Sequence, residues 1–165
     1  MANRVNRQVH YHPFFFLLMA LVAMAELILT GFLIEEGNEH NDWLSPRFHS
    51  LLIYCCVNSV WTMVFAISYV LWIIDGAAHI LASIASSVIW LLVNSILWLV
   101  AAVLVHRSRR GGNCAGMPTI SRCRQYLTTE ALCWTELGLS LFTLFATCLW
   151  MRSSKRGYRS SFYGS

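Results

Sequence analysis

Long apolar stretches alternate with short polar ones along this chain. Pro13 to Ile34 is the first apolar stretch, interrupted by Glu26. Phe48 to Ile74 is the second and Ala77 to Val105 the third. Leu127 to Met151 is the fourth, and it carries Glu130 and Glu136. A helix needs about 20 apolar residues to cross the hydrocarbon core of a bilayer, and each stretch reaches that length. The pattern predicts four transmembrane helices over about 13–34, 48–74, 77–105 and 127–151. Pro13 suits the first turn of its helix, where a missing N–H costs nothing. The first stretch is too long for a cleavable signal, and Ile34-Glu35-Glu36 has no small-residue cleavage site, so this helix is expected to stay.

The polar stretches are short connections. Glu35 to Arg47 is acidic, with Glu35, Glu36, Glu39 and Asp42 against one arginine. Asp75-Gly76 alone joins the second and third helices, which must then form an antiparallel hairpin. His106 to Tyr126 is the longest loop and is basic and rich in turn residues. The expected architecture is an all-α integral membrane protein, a four-helix antiparallel bundle. Residues 1–12 form an amino-terminal arm, 13–151 one membrane domain and 152–165 a basic tail. No internal repeat or low-complexity tract is evident.

Composition strengthens this picture. Of 165 residues, 57% are hydrophobic and 12% charged. A soluble domain averages about 45–50% apolar and about 25% charged residues, and it needs that charge to cover its surface. The same numbers exclude disorder. The net charge of +4 is not a nucleic-acid footprint, because the basic residues cluster beside the apolar stretches. There they read as topology signals or head-group contacts. Arg152, Lys155, Arg156 and Arg159 in the tail are the expected contacts to anionic lipid.

Four spans put both termini on one side. The positive-inside count is a tie, with six Lys or Arg on the terminal side and six on the other. Two features break it. The acidic first loop sits awkwardly against an anionic cytoplasmic leaflet. Cys114 and Cys123 flank a glycine- and proline-bearing turn, an arrangement suited to a disulfide in an oxidising lumen. Both place the termini in the cytoplasm. Trp43, Trp72, Trp98 and Trp150 fall near helix ends and read as interfacial anchors.

Ionisable residues inside a membrane are expensive, so their positions matter. With 1.5 Å of rise per residue, Glu26, Asn58, Asn94 and Glu136 all fall on the same side of the midplane, roughly 3–5 Å from it. One reading is a proton or ion relay with two carboxyl carriers. The other, preferred here, is a hydrogen-bonded layer that sets the register of the bundle. A conducting path calls for polar residues at several depths, and the sequence shows mainly one layer. Ala78, Ala82 and Ser86 recur at four-residue spacing, which lets another helix approach closely; packing within the bundle is favoured over a homodimer face.

Other chemistry finds little support. Haem ligation needs histidines facing each other at one level; His49 and His79 sit at opposite faces, and only His106 lies near His49. The six cysteines include no CxxC, and Cys55-Cys56 read as two small core residues. Cys148, beside the basic tail, is a candidate palmitoylation site. No Ser-His-Asp grouping, HExxH or phosphate-binding glycine loop occurs, so no enzyme activity, cofactor or metal is expected.

The four-span plan with short first and second loops resembles the MARVEL-domain family, particularly its small four-helix fungal members. The resemblance covers roughly Pro13 to Met151. It rests also on Leu71-Trp72-Ile73-Ile74-Asp75-Gly76 at the hairpin. The third loop running into the last helix, Asn113-Cys114 through Cys123-Arg124 to Glu130-Ala131 and Trp134, carries it furthest. It implies cytoplasmic termini and a non-enzymatic role in membrane apposition, vesicle trafficking or lipid-domain organisation. By similarity it singles out Cys114 and Cys123 as a loop disulfide, with Glu130 and Glu136 on the last helix. The expected partners are membrane lipids, further copies of the chain and other membrane proteins, in plasma or secretory membranes. The alternative is a small channel or transporter using the Glu26–Asn58–Asn94–Glu136 layer.

Overall fold

A computed structural model describes residues 11–40, 45–75, 84–109, 114–116, 118 and 121–154. The described residues form four helices and no strand: α1 (Tyr11–His40), α2 (Pro46–Asp75), α3 (Ile84–Arg109) and α4 (Arg122–Ser154). Each contains a span of at least 24 residues that is long and apolar enough to cross a membrane. The chain is an all-α integral membrane protein, folded as an antiparallel four-helix bundle.

The expected spans are extended at several ends. α1 starts at Tyr11 and runs to His40, so Glu35, Glu36 and Glu39 continue the helix and do not form a loop. Glutamate is a good helix former, and a single glycine at position 37 does not stop the chain once nucleation is paid for. α2 begins where Ser45 and Pro46 dictate. The Phe48 N–H donates to Ser45 Oγ at 3.1 Å, and Pro46 occupies the first helical position. α4 starts at Arg122, before the apolar stretch, with the Ser121 carbonyl accepting from the Arg124 and Gln125 N–H groups. The Gly76 turn, Ala78, His79 and Ala82 lie outside the described residues.

The helices form a closed ring. α1 packs most extensively on α2, and α3 on α4; α1–α4 and α2–α3 contacts complete it. α2 and α4 therefore oppose each other diagonally. Two apolar cores fill the ring. The first joins Leu33, Phe48, Leu52, Trp98, Val105 and Cys133, bringing together the ends of α1 and α3 and the starts of α2 and α4. The second joins Phe16, Ala66, Tyr69, Trp90 and Leu91 at the other end. There the Phe16 and Tyr69 rings stack at 5.2 Å, and Trp90 lies within 6.0 Å of both.

Outside, the surface is as apolar as the core. Ile28, Val57, Ile89 and Phe145 are each more than 60% exposed, one on every helix. This distribution suits lipid as solvent, since tails accept apolar side chains while backbone and polar groups must be satisfied internally. One expected anchor is corrected. Trp98 is fully buried, eleven residues before the end of α3, and its indole N–H donates to Thr62 Oγ1 at 3.0 Å. A buried indole needs an acceptor, and α2 supplies one in mid-bundle. Trp72 is half-buried against Tyr69; Trp43 lies outside the described residues, and Trp150 is a position on α4.

Candidate functional site

Between the two apolar cores lies the polar interior. Glu26, Asn58, Asn94 and Glu136 are all buried there, at 3% exposure or less. The structure thus turns all four into the bundle interior. It does not join them directly, for no hydrogen bond links any two.

Asn94 is the connected member. Its Oδ1 accepts from Thr62 Oγ1 of α2 and its Nδ2 donates to Ser140 Oγ of α4, both at 2.9 Å. With Trp98 donating to the same Thr62 hydroxyl, this chain ties three helices together through satisfied groups. Asn58 Nδ2 finds no partner. The Glu136 carboxyl sits beside Glu26 and the Ala23 backbone of α1, and no side chain hydrogen-bonds it.

Glu26 leads to a cluster that sequence reasoning missed. Its Oε1 lies 3.6 Å from Cys133 Sγ, which donates to it, and Cys133 Sγ lies 4.0 Å from Cys55 Sγ. The three ligand atoms lie within 4.8 Å of one another, and all three residues are buried. Glu26 comes from α1, Cys55 from α2 and Cys133 from α4, so the two thiols meet across the diagonal of the ring. Cys55 is therefore more than a small core residue. Cys56, its neighbour in sequence, points elsewhere and is half-buried. No spacing rule links positions 26, 55 and 133, so only the fold places them together.

Polarity also extends beyond one level. Thr129, Cys133, Glu136, Ser140, Thr143 and Thr147 are all buried on α4. Their spacing of four and three residues makes one inward seam, about 27 Å long at 1.5 Å per residue. The single-layer expectation is corrected accordingly. The threonines escaped notice because they are apolar enough to sit in a span, but their alternating spacing was visible. Thr129, Thr143 and Thr147 donate to the carbonyl four residues back, at 3.2, 2.7 and 2.8 Å. Such bonds satisfy a hydroxyl within its own helix.

At the end of the bundle that carries the third loop, Cys114 and Cys123 form the expected disulfide, with Cα atoms 5.9 Å apart. Gly116 makes the enclosed turn at φ +82°, a conformation glycine adopts freely. Glu130 is partnered: it accepts from His106 Nδ1 at 2.7 Å and from Arg109 Nη1. The clamp bonds the last turn of α3 to α4. Ser86, the described member of the small-residue stripe, hydrogen-bonds Tyr69 of α2 at 2.9 Å, which is packing within the bundle. Cys148 is exposed. Of the tail cations, Arg152 falls within α4, while Lys155, Arg156 and Arg159 lie outside the described residues.

Compared with protein-family models, curated proteins and solved structures, the chain matches none.

Proposed function

We propose that this chain is a non-enzymatic membrane-organising protein, one that associates with copies of itself and arranges the bilayer around it. The carrying observation is the distribution of polarity. Buried polar groups are mostly engaged along and between helices, while all four outer faces present large apolar side chains. Such a surface offers packing area to lipids and to neighbouring spans, where association relies on close contact. The Cys114–Cys123 disulfide and the Glu130 clamp brace the start of α4, the latter against the end of α3, a fixed end of the bundle suited to apposition. This reading agrees with the MARVEL resemblance. It places the termini in the cytoplasm and the disulfide in the lumen or outside the cell, in plasma or secretory membranes. The basic tail then meets anionic lipid, each cation near the surface contributing about 1 kcal/mol.

The test is oligomeric state. Full-length protein extracted with its native lipid into polymer-bounded discs should contain two or more copies per particle. A uniform population of monomers overturns the scaffold. Free thiols at Cys114 and Cys123 in protein from native membranes overturn the orientation.

A second reading, a small proton or ion transporter, has its own observation. Glu26 Oε2 is buried without a partner beside the Glu136 carboxyl, which belongs to the buried polar seam of α4 from Thr129 to Thr147. Purified protein in liposomes decides it: flux abolished by Glu26→Gln with Glu136→Gln supports transport, and no flux refutes it.

A further inference from the structure

We propose that Glu26, Cys55 and Cys133 form an intramembrane binding site for a thiophilic divalent metal ion, zinc in chemical class. The site goes beyond the scaffold reading and does not depend on it.

The first argument is geometric. Tetrahedral zinc holds sulfur at about 2.3 Å and oxygen at about 2.0 Å, which sets S···S near 3.8 Å and S···O near 3.5 Å. The observed separations are 4.0 Å for Cys55 Sγ to Cys133 Sγ and 3.6 Å for Cys133 Sγ to Glu26 Oε1. The third separation, Cys55 Sγ to a Glu26 carboxylate oxygen, lies within 4.8 Å, and side-chain rotation brings the three atoms onto one ion.

The second argument is the donor set. Two sulfurs with one oxygen suit a borderline-soft ion and disfavour magnesium or calcium, which take oxygen alone and more of it. Binding displaces the two thiol protons, and with Glu26 ligating through its carbonyl oxygen while its other oxygen keeps a proton, the two thiolates cancel the charge of a divalent ion. That cancellation matters in a bilayer, where uncompensated charge is costly.

A third argument is independent of the cysteines. Glu26 is fully buried with Oε2 unpartnered, and Glu136 is fully buried beside it with no side-chain partner. Buried polar groups in folded proteins are rarely left without partners, and each orphan calls for an explanation. A bound cation engages Glu26, and a solvent molecule can fill the fourth position of a tetrahedral site.

The consequence is structural. Cys55 and Cys133 lie on diagonally opposed helices, and Glu26 adds a third. A metal there cross-braces α1, α2 and α4, so bundle stability responds to metal supply.

The test uses full-length protein in lipid discs, stripped with a chelator and equilibrated with zinc ion alone. Elemental analysis should find one zinc per chain that Cys56→Ser and Cys148→Ser retain. Cys55→Ser and Cys133→Ser should bind at least tenfold more weakly, and Glu26→Gln should weaken binding measurably. Cobalt(II) in place of zinc should give thiolate charge-transfer absorption. Should a cysteine variant fail to fold, the wild-type chain answers alone: zinc should slow maleimide modification of Cys55 and Cys133, read by mass spectrometry, and leave Cys148 unchanged. The proposal is overturned by zinc that survives in both cysteine variants, by equal reactivity with and without zinc, or by a Cys55–Cys133 disulfide in protein from native membranes.

Discussion

Asn94 joins α3 to two other helices, and removing it tests whether the polar interior holds the bundle together. The Asn94→Ala substitution deletes the bonds to Thr62 and Ser140, both 2.9 Å long and both buried. Hydrogen bonds between helices in a bilayer contribute about 0.6 kcal/mol on average and at most about 1.7, because the unfolded chain in lipid also finds partners. The two bonds together then contribute about 1.2 kcal/mol. The raw loss in Asn94→Ala should exceed this, since a void replaces the amide. Two double-mutant cycles isolate the bonds, one with Ser140→Ala and one with Thr62→Ala, each expected to show about 0.6 kcal/mol of coupling. Thr62→Ala alone should cost more than Ser140→Ala, because it also strips the acceptor from the buried Trp98 indole. The assay is reversible unfolding in mixed micelles by detergent titration, followed by far-ultraviolet circular dichroism. Couplings of zero in both cycles, with Asn94→Ala no worse than an alanine substitution at lipid-facing Ile96, would refute the reasoning.

Three further outcomes follow from other parts of the molecule. Opening the Cys114–Cys123 bond, with nine residues of sequence separation, should destabilise the loop end by about 2.6 kcal/mol in the chain-entropy model; Cys114→Ser and the double Cys114→Ser, Cys123→Ser variant should lose similar amounts in the same titration. Glu130→Gln removes the carboxylate that faces His106 and Arg109 and should cost about 1–3 kcal/mol, as charge-assisted bonds do. Hydrogen exchange should then accelerate at the last turn of α3 and not at the Tyr69–Trp90 end; uniform acceleration counts against a local clamp. Ile96→Asp places a charge on the lipid face near the middle of α3 and should raise the cost of insertion by about 2.5–3.5 kcal/mol, read by a glycosylation-based insertion assay. Unchanged insertion would mean that this face does not meet lipid.

Much of the architecture could be read from one dimension. Four apolar stretches, each long enough to span a bilayer, sufficed for the number of helices, because lipid leaves a spanning chain few alternatives to helix. Opposite running directions and a constant rise predicted similar depths for Glu26, Asn58, Asn94 and Glu136, and all four are buried. Cys114 and Cys123 were legible too, since a short turn between two cysteines limits their separation. Helix ends were less so: α1 continues through Glu35 and Glu36, whose hydropathy marks the edge of lipid and not the end of the helix. Trp98 misled for a related reason: the expected span ended at Val105, whereas α3 runs on to Arg109 and leaves Trp98 a further turn from its end.

Sequence alone therefore determined the solvent, the helices and the depth of the exceptional residues, all properties of a residue and its near neighbours along the chain. Tertiary structure alone decided the partners. Rotation of each helix about its axis is set by packing against the others, and a turn of 100° per residue moves a side chain from lipid to core. An offset of one turn along α2 and α4, on the faces that carry Asn58 and Glu136, gives Asn94 to Thr62 and Ser140 where a bond among the four layer residues was expected. Rotation turns Cys55 inward and leaves Cys56 half-buried. Across the ring it sets Cys55 and Cys133 beside Glu26, joining three residues that nothing in their spacing connects.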